Sequence, residues 1–335
     1  MQQKNILIIT LGGTILSQYD SVNQCVLPGY DKDYLRSKII ERVSNATIDI
    51  LEFCQKPGPH LTPQLAISLC EFLEENQDYY HGFVVLQGTD TIEEFSYLVS
   101  LILDISKPVV FTGAMKSLNE HYSDAFGNII SAIRIACYIK KRDILVTLNE
   151  KIFLPEDIIK THSSNIDSFQ SDKICPIGII TEEIPQFFYH KKRNKVFDRK
   201  IEKRVEILKV SIGCDPFLLE YCIDKGIKGI VIEGFGAGNI PMEWTQSIKR
   251  AVLNKIPVVL ATRCTHGYAK PLYGYEGGGK WLEDYGVIIS ENLSGPKARI
   301  KLMVLLGQTE DNDLIEIKKY FTKERKNNSD IKVLN

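Results

Sequence analysis

The chain has 335 residues, 44% apolar and 25% charged, the balance of a globular protein long enough for two domains that each bury a core. Its formal net charge of −1 supplies no general field for nucleic acid or for an anionic membrane surface. The opening Met-Gln-Gln-Lys lacks the order of a signal peptide and no apolar run approaches the length of a membrane span, so a cytoplasmic protein with no membrane partner is expected. The eight cysteines are scattered without a Cys-x-x-Cys pair, and the histidines fall at no helix-ligand spacing. Reduced thiols and no metal are expected.

The first element is the apolar run Ile6 to Ile9, expected as a buried parallel strand. It ends at Gly12-Gly13, which let the backbone turn, and at Thr14, presented at the strand edge where open α/β sheets bind ligands. On these residues alone Thr14 is either a reactive hydroxyl or the cap of a tight turn. A polar stretch follows from Ser17 to Tyr30, with Pro28-Gly29 marking a turn. Residues 46 to 54 read as a strand and Pro63 to Glu75 as a helix, with Thr62 as its N-cap and Pro63 in its first position.

Residues 83 to 91, Phe-Val-Val-Leu-Gln-Gly-Thr-Asp-Thr, repeat the first pattern: a short apolar strand that runs into glycine and then into hydroxyl and carboxylate groups. Two such strand ends can face one another across a crevice. Thr89 and Asp90 are neighbours, so one loop supplies a nucleophile or proton relay and a group to orient it. A hydroxyl needs that help, being a weak nucleophile until a base takes its proton. Further on, Thr91 to Leu103 reads as a helix whose amino end suits a carboxylate, Pro108 to Thr112 as a strand, Ser123 to Tyr138 as a helix with Asp124 near its start, and Ile144 to Leu148 as a strand. Lys160 comes next. It is a solvated charge unless burial or close neighbours loosen its proton and make it a base.

His190 to Arg204 is markedly basic with little apolar periodicity and reads as the region between domains, since no interleaved aromatic platform supports nucleic-acid binding. Val205 to Val210, Pro216 to Lys225 and Gly229 to Glu233 read as a strand, helix and parallel strand, and Thr245 to Asn254 with Pro257 to Thr262 repeat the alternation. The glycine-rich Tyr273 to Lys280 reads as a loop, either flexible or carrying Tyr273, Tyr275 or Glu276 to a neighbouring protomer. Lys297 to Leu306 reads as an amphipathic helix, and the tail from Lys323 as polar and frayed.

The motifs Leu11-Gly-Gly-Thr-Ile15, Gln87-Gly-Thr-Asp-Thr91, Pro108-Val-Val-Phe-Thr-Gly-Ala-Met115, Ser123-Asp-Ala-Phe-Gly-Asn128, Lys160-Thr161 and Gly234-Phe-Gly-Ala-Gly-Asn239 together resemble the bacterial-type L-asparaginases of the asparaginase and glutaminase family, in the family's order and over nearly the whole chain. The layout is similar to that of the cytoplasmic type I enzymes. The resemblance implies an α/β fold of two domains, residues 1–190 with a parallel or mixed sheet and residues 207–335 as a smaller α/β domain, joined by a linker at 191–206. It implies an amidohydrolase that converts L-asparagine to L-aspartate and ammonia without a cofactor. Thr14 would be the nucleophile, with Thr89, Asp90 and Lys160 as a proton relay. Gly13, Gly58, Pro59, His60, Gly88, Ala114 and Asn239 would bind substrate, Asn239 across a contact between protomers in a homodimer or homotetramer.

The chain departs from that pattern in two places. The tyrosine that many members carry in a mobile lid falls near Val26, which leaves Tyr19 or Tyr30 as neighbours. The serine and polar residue that grip the substrate's charged groups are replaced by Gly58 and Pro59, and Pro59 has no N–H to offer. A hydrolase of another amide or ester, such as glutamine or an asparagine-containing peptide, and a non-catalytic binding relative are therefore the alternatives. Ile159 and Glu233 stand where an effector site near Cys264 would need a threonine and an arginine, so that regulation is not expected.

Overall fold

A computed structural model describes residues 3–139, 143–171, 175–190, 195–290, 292–309 and 313–322 and the short strand at 332–333. The chain forms two compact units, the first running to Val196 and the second starting at Phe197, with the terminal strand joining the first.

In the first unit the strands β1 (Lys4–Thr10), β2 (Ser17–Asp20) and β3 (Cys25–Pro28) precede helix α1 (Lys32–Ile40) and strand β4 (Ala46–Glu52). Helix α2 (Pro63–Asn76) starts where the sequence places it, with the Thr62 hydroxyl accepting from Leu65 N–H. Strand β5 (Gly82–Leu86), helix α3 (Ile92–Ile102), strand β6 (Val109–Thr112), helix α4 (Ala125–Tyr138) and strand β7 (Ile144–Leu148) follow. Strands β4, β1, β5, β6 and β7 lie side by side and parallel, in that order. Both faces of such a sheet are covered, and every residue of β5, β6 and β7 is buried.

The order has one consequence for function. The chain leaves β1 toward β4 on one side and returns to β5 on the other, so a crevice opens beyond the carboxyl ends of β1 and β5. Ligands of doubly wound sheets bind at such a point.

The far edge of the sheet is antiparallel: β8 (Lys151–Phe153) pairs with β7, β11 (Gly178–Thr181) with β8, and β12 (Ile184–Phe187) with β11. Between them β9 (Ile158–Lys160) and β10 (Phe169–Ser171) form a separate ribbon, and β13 (Tyr189–His190) pairs with the terminal strand Lys332–Val333. These short strands carry no apolar run long enough to be read beforehand. The β7–β8 turn uses Asn149 and Glu150 at φ of 49° and 60°, the primed geometry that suits the twist of a hairpin.

The second unit is a four-stranded parallel sheet in sequential order, β14 (Val205–Lys209), β15 (Gly229–Gly234), β16 (Val258–Thr262) and β17 (Ile288–Ile289). Helices α5 (Phe217–Asp224), α6 (Thr245–Leu253) and α7 (Gly279–Asp284) connect the strands, and α8 (Gly295–Gln308) and α9 (Leu314–Thr322) complete the unit. The expected parallel βαβ unit is present as β14, α5 and β15. The larger and smaller α/β units agree with the fold class read from the sequence.

Three expectations are corrected or refined. Helix α8 is not amphipathic in its setting: from Lys297, at 0% exposure, to Leu306 it is buried at every position but Arg299, because β15 packs on one side and Lys301 lies over the Phe321 ring of α9 on another. The Tyr273–Lys280 segment is not a loose loop. Glu276 accepts from the Thr245 hydroxyl, and backbone bonds tie Gly277 to Ile240 and Lys280 to Tyr273. Of the basic region between domains, residues 191–194 lie outside the described residues, while Phe197 is buried against Tyr320 and Gln308 donates to the carbonyls of Asp198 and Lys200. The tail from Lys323 to 331 also lies outside the described residues.

Candidate active site

Three chain segments meet backbone to backbone at the crevice beyond β1 and β5. Gly12 and Gly13 have φ of 106° and 86°, a region that L side chains avoid. A Cβ on Gly12 would stand 2.4 Å from the Lys56 carbonyl oxygen, and one on Gly13 would stand 2.3 Å from Gly88 Cα. Gly88 is as confined, since its Cβ would meet Gly58 Cα at 2.9 Å. Only residues without side chains bring the loop after β1, the loop after β5 and the Lys56–Pro59 segment this close together. Bonds from Leu11 N–H to the Leu86 carbonyl and from Lys56 N–H to the Leu11 carbonyl lock the arrangement.

These segments enclose a cavity of about 160 Å³, smaller than the roughly 300–1,000 Å³ of drug-sized ligand sites. Thr14, Thr89, Asp90, Gly13, Gly58, Pro59 and Gly88 all line it. Thr14 begins a short 3-10 turn over Thr14–Leu16. Its hydroxyl has no hydrogen-bond partner among the described residues. Thr89 is 6% exposed, and its Oγ1 accepts from Lys160 Nζ at 2.9 Å. The same ammonium donates to Asp90 Oδ1 at 2.8 Å.

Lys160 reaches this position from the last residue of β9, with its side chain 15% exposed. Glu93, in the first turn of α3, fixes the strand by accepting from Lys160 N–H at 3.1 Å. Asp90 is 61% exposed, so its pairing with Lys160 is moderated by water. An ammonium that bridges a hydroxyl and a carboxylate defines a path: in its neutral form the amine can take the Thr89 proton, while Asp90 holds it in place.

The wall under Thr89 comes from the loop after β6. A Cβ on Gly113 would meet Thr89 Cγ2 at 2.9 Å. Asp124 accepts from the backbone of Met115 and Lys116, and Asn128 donates to the Gly113 carbonyl at 2.9 Å. These two side chains position the loop, a role visible beforehand only in their shared motif.

Of the other expected site residues, Ala114 is fully buried in the core behind the cavity, with Gly113 making the approach to Thr89. His60 is exposed at the end of the Gly58–His60 turn and does not line the cavity. Asn239 belongs to the second unit, where its backbone pairs with Phe235 and its buried Oδ1 finds no partner among the described residues. The segment expected as a lid is a hairpin of β2 and β3 held by Asn119, which exchanges two hydrogen bonds with the Tyr19 backbone. Val26 and Pro28 line the cavity from it, whereas Tyr19 and Tyr30 do not. The Tyr30 hydroxyl lies 3.3 Å from that of Thr10, and burial pushes its phenol above the ordinary value, which keeps it protonated. Gln55 and Lys56, which the sequence did not single out, also line the cavity.

Residues 5–193 match the family model for the asparaginase N-terminal domain, and residues 204–321 match that for the glutaminase/asparaginase C-terminal domain. The chain belongs to the asparaginase family. It is 30% identical to an L-asparaginase of Bacillus licheniformis over 91% of its own length and 96% of the relative's. It is also 32% identical to a glutamyl-tRNA(Gln) amidotransferase component of Pyrococcus furiosus, over 94% of this chain and 74% of that one. Among solved structures, the thermostable L-asparaginase from Thermococcus kodakarensis superposes with a TM-score of 0.85 at 26% identity, covering 95% of this chain and 96% of that one. The family thus contains chains of more than one named activity. No helix among the described residues is long and apolar enough to cross a membrane, and no group of three or more His, Cys, Asp or Glu among them is disposed to hold a metal.

Proposed function

We propose that this chain is an amidohydrolase of L-asparagine. The observation that carries the reading is the convergence of Thr14, Thr89 and Asp90 on one cavity, with Lys160 bonded to the second and third of them. Thr14 Oγ1 attacks the side-chain amide carbon, ammonia leaves, and the resulting ester is hydrolysed by water to L-aspartate, freeing Thr14. The Thr89–Lys160 pair moves the protons, accepting one as the nucleophile adds and returning it to the leaving nitrogen. Backbone N–H groups of the glycine-rich loops stabilise the oxyanion. The enzyme works in the cytoplasm as a homo-oligomer in which Asn239 serves a partner's site; a solved neighbour from Campylobacter jejuni, named as a probable cytoplasmic L-asparaginase, supports the location.

A second reading is favoured by the lining itself. Val26, Gly58 and Pro59 carry no hydroxyl, so the group that grips the substrate differs and another amide, such as glutamine or an asparagine-containing peptide, is the runner-up. Relatives named as components of glutamyl-tRNA(Gln) amidotransferases support it. Ammonia release by the purified protein across L-asparagine, L-glutamine and short asparaginyl peptides tests both. Fastest turnover of L-asparagine supports the first reading, a faster second substrate replaces it with the runner-up, and no release from any amide overturns enzyme function.

A further inference from the structure

The cavity has two charged lining residues, Asp90 and Lys56. Asp90 is engaged by Lys160. Lys56 is exposed, and its ammonium has no ion pair or hydrogen bond among the described residues. Its backbone, by contrast, is held firmly: its N–H donates to the Leu11 carbonyl at 2.9 Å, and it lies against Gly12 at a distance that only glycine allows. The side chain therefore starts from a fixed point beside the Thr14 loop and carries, on a flexible stem, a cation that can reach the cavity.

The rest of that wall is poor in donors. Pro57 and Pro59 have no N–H, Gly58 has no side chain, and the N–H groups of His60 and Leu61 are taken by the carbonyls of Pro57 and Gly58. Gln55, exposed and without a partner among the described residues, adds a carboxamide beside Lys56. A carboxylate that enters here has one cation to meet, with the Gln55 carboxamide and the Gly58 N–H, which no bond claims among the described residues, to support it.

We infer that Lys56, assisted by Gln55, is the specificity-determining residue of this site and receives a carboxylate carried on the carbon next to the amide-bearing arm. The substrate class is then the free amino-acid amide with an unblocked α-carboxylate, rather than a peptidyl or carboxylate-blocked amide. The inference rests on the amidohydrolase reading for its catalytic readout but not for its binding readout.

The test compares ligands that differ only in that carboxylate. For turnover, L-asparagine is set against β-alaninamide, the same amine and amide without it. For binding, L-aspartate is set against β-alanine by calorimetry. In Lys56→Met the preference in kcat/KM for L-asparagine over β-alaninamide falls at least about tenfold, as expected for one charge-assisted contact. Lys56→Glu lowers it further, and Lys56→Arg retains most of it. The dissociation constant of L-aspartate rises by a similar factor in Lys56→Met, and Gln55→Leu gives a smaller change in the same direction. A preference and an L-aspartate affinity both unchanged within twofold in Lys56→Met and Lys56→Glu overturn the assignment. If the wild-type protein releases no ammonia from any amide, the amidohydrolase reading fails, and the L-aspartate measurement alone decides for or against Lys56. Absence of L-aspartate binding to the wild type decides against it.

Discussion

The two walls of the cavity are built on different principles. The wall bearing Thr14 and Thr89 is made of glycines that touch backbone to backbone, and it presents hydroxyls from positions that cannot shift without moving three chain segments. The wall from Gln55 to Pro59, with Val26 and Pro28 above it, is made of exposed side chains around the buried Gly58. At Gly58 a Cβ would lie 3.5 Å from its nearest neighbour, against 2.3 Å at Gly13. The first wall is fixed throughout by close backbone contacts, whereas the second is fixed only where the Lys56 and Gly58 backbone meets Gly12 and Gly88, and its side chains are free to differ in chemistry. Substrate preference can therefore change on one side while the reacting groups on the other stay in place.

The sharpest way to break this contrast is to remove a hydroxyl without disturbing the glycines. Thr14→Ala is expected to lower ammonia release by about a thousandfold or more, with an unchanged melting temperature, as loss of a nucleophile does. Residual activity above about one tenth would assign attack to another group. Thr89→Val, which removes the hydrogen bond from Lys160, is expected to act nearly as strongly. Lys160→Met should lower kcat by about a hundredfold to ten-thousandfold, the range of general acid–base catalysis, and change KM much less. A raised KM with normal kcat, measured on purified variants, would make Lys160 a binding residue instead.

The glycine wall itself is probed by Gly13→Ala. The added methyl collides with Gly88 and requires φ of 86°, so a loss of about 1–3 kcal/mol in stability is expected from chemical denaturation. Equal stability would show that the loops separate readily. On the opposite wall Gly58→Ser fits without collision and restores a hydroxyl near the carboxylate end. A gain of up to about tenfold in kcat/KM for L-asparagine is expected, equivalent to one modest hydrogen bond, with none for β-alaninamide. A lowered rate for both substrates would mean that the segment tolerates bulk less well than its spacing indicates.

The smallest effect concerns pH. Asp167, in the β9–β10 connection that precedes the partner strand of Lys160, accepts from Lys151 and Asn149, and the Lys151 bond holds its carboxyl below the ordinary carboxylate range. A carboxyl with a depressed folded-state pKa stabilises above its unfolded value near ~3.9 and loses that contribution as the pH falls through the folded value. Lys151→Met should therefore cost under about 0.5 kcal/mol at neutral pH, since both side chains are partly open to water, and nothing once the pH lies below both values. Urea midpoints at neutral and strongly acidic pH measure the difference; an equal deficit at both would assign it to packing.

Much of the catalytic wall was legible in the chain. An apolar run followed by Gly12-Gly13-Thr14, and another followed by Gly88-Thr89-Asp90, specify buried strands whose carboxyl ends carry hydroxyls, because burial on both faces demands continuous apolar residues and a tight exit demands glycine. The α2 cap at Thr62 and the parallel unit of β14 and β15 were equally local. The antiparallel ribbons were not, since their few residues form strands only by pairing with partners placed by the rest of the fold. Nor was the burial of Lys297 and Lys301, which depends on what α9 and β15 pack against α8. Above all, the sequence determined which hydroxyls, carboxylate and ammonium were available. The strand order that puts β1 beside β5, across the turning point of the sheet, decided that Thr14 and Thr89 share a cavity, that Lys160 spans 71 residues to reach Thr89, and that Lys56 rather than His60 lines the wall. Such pairings depend on long-range register, which a local run of residues does not encode.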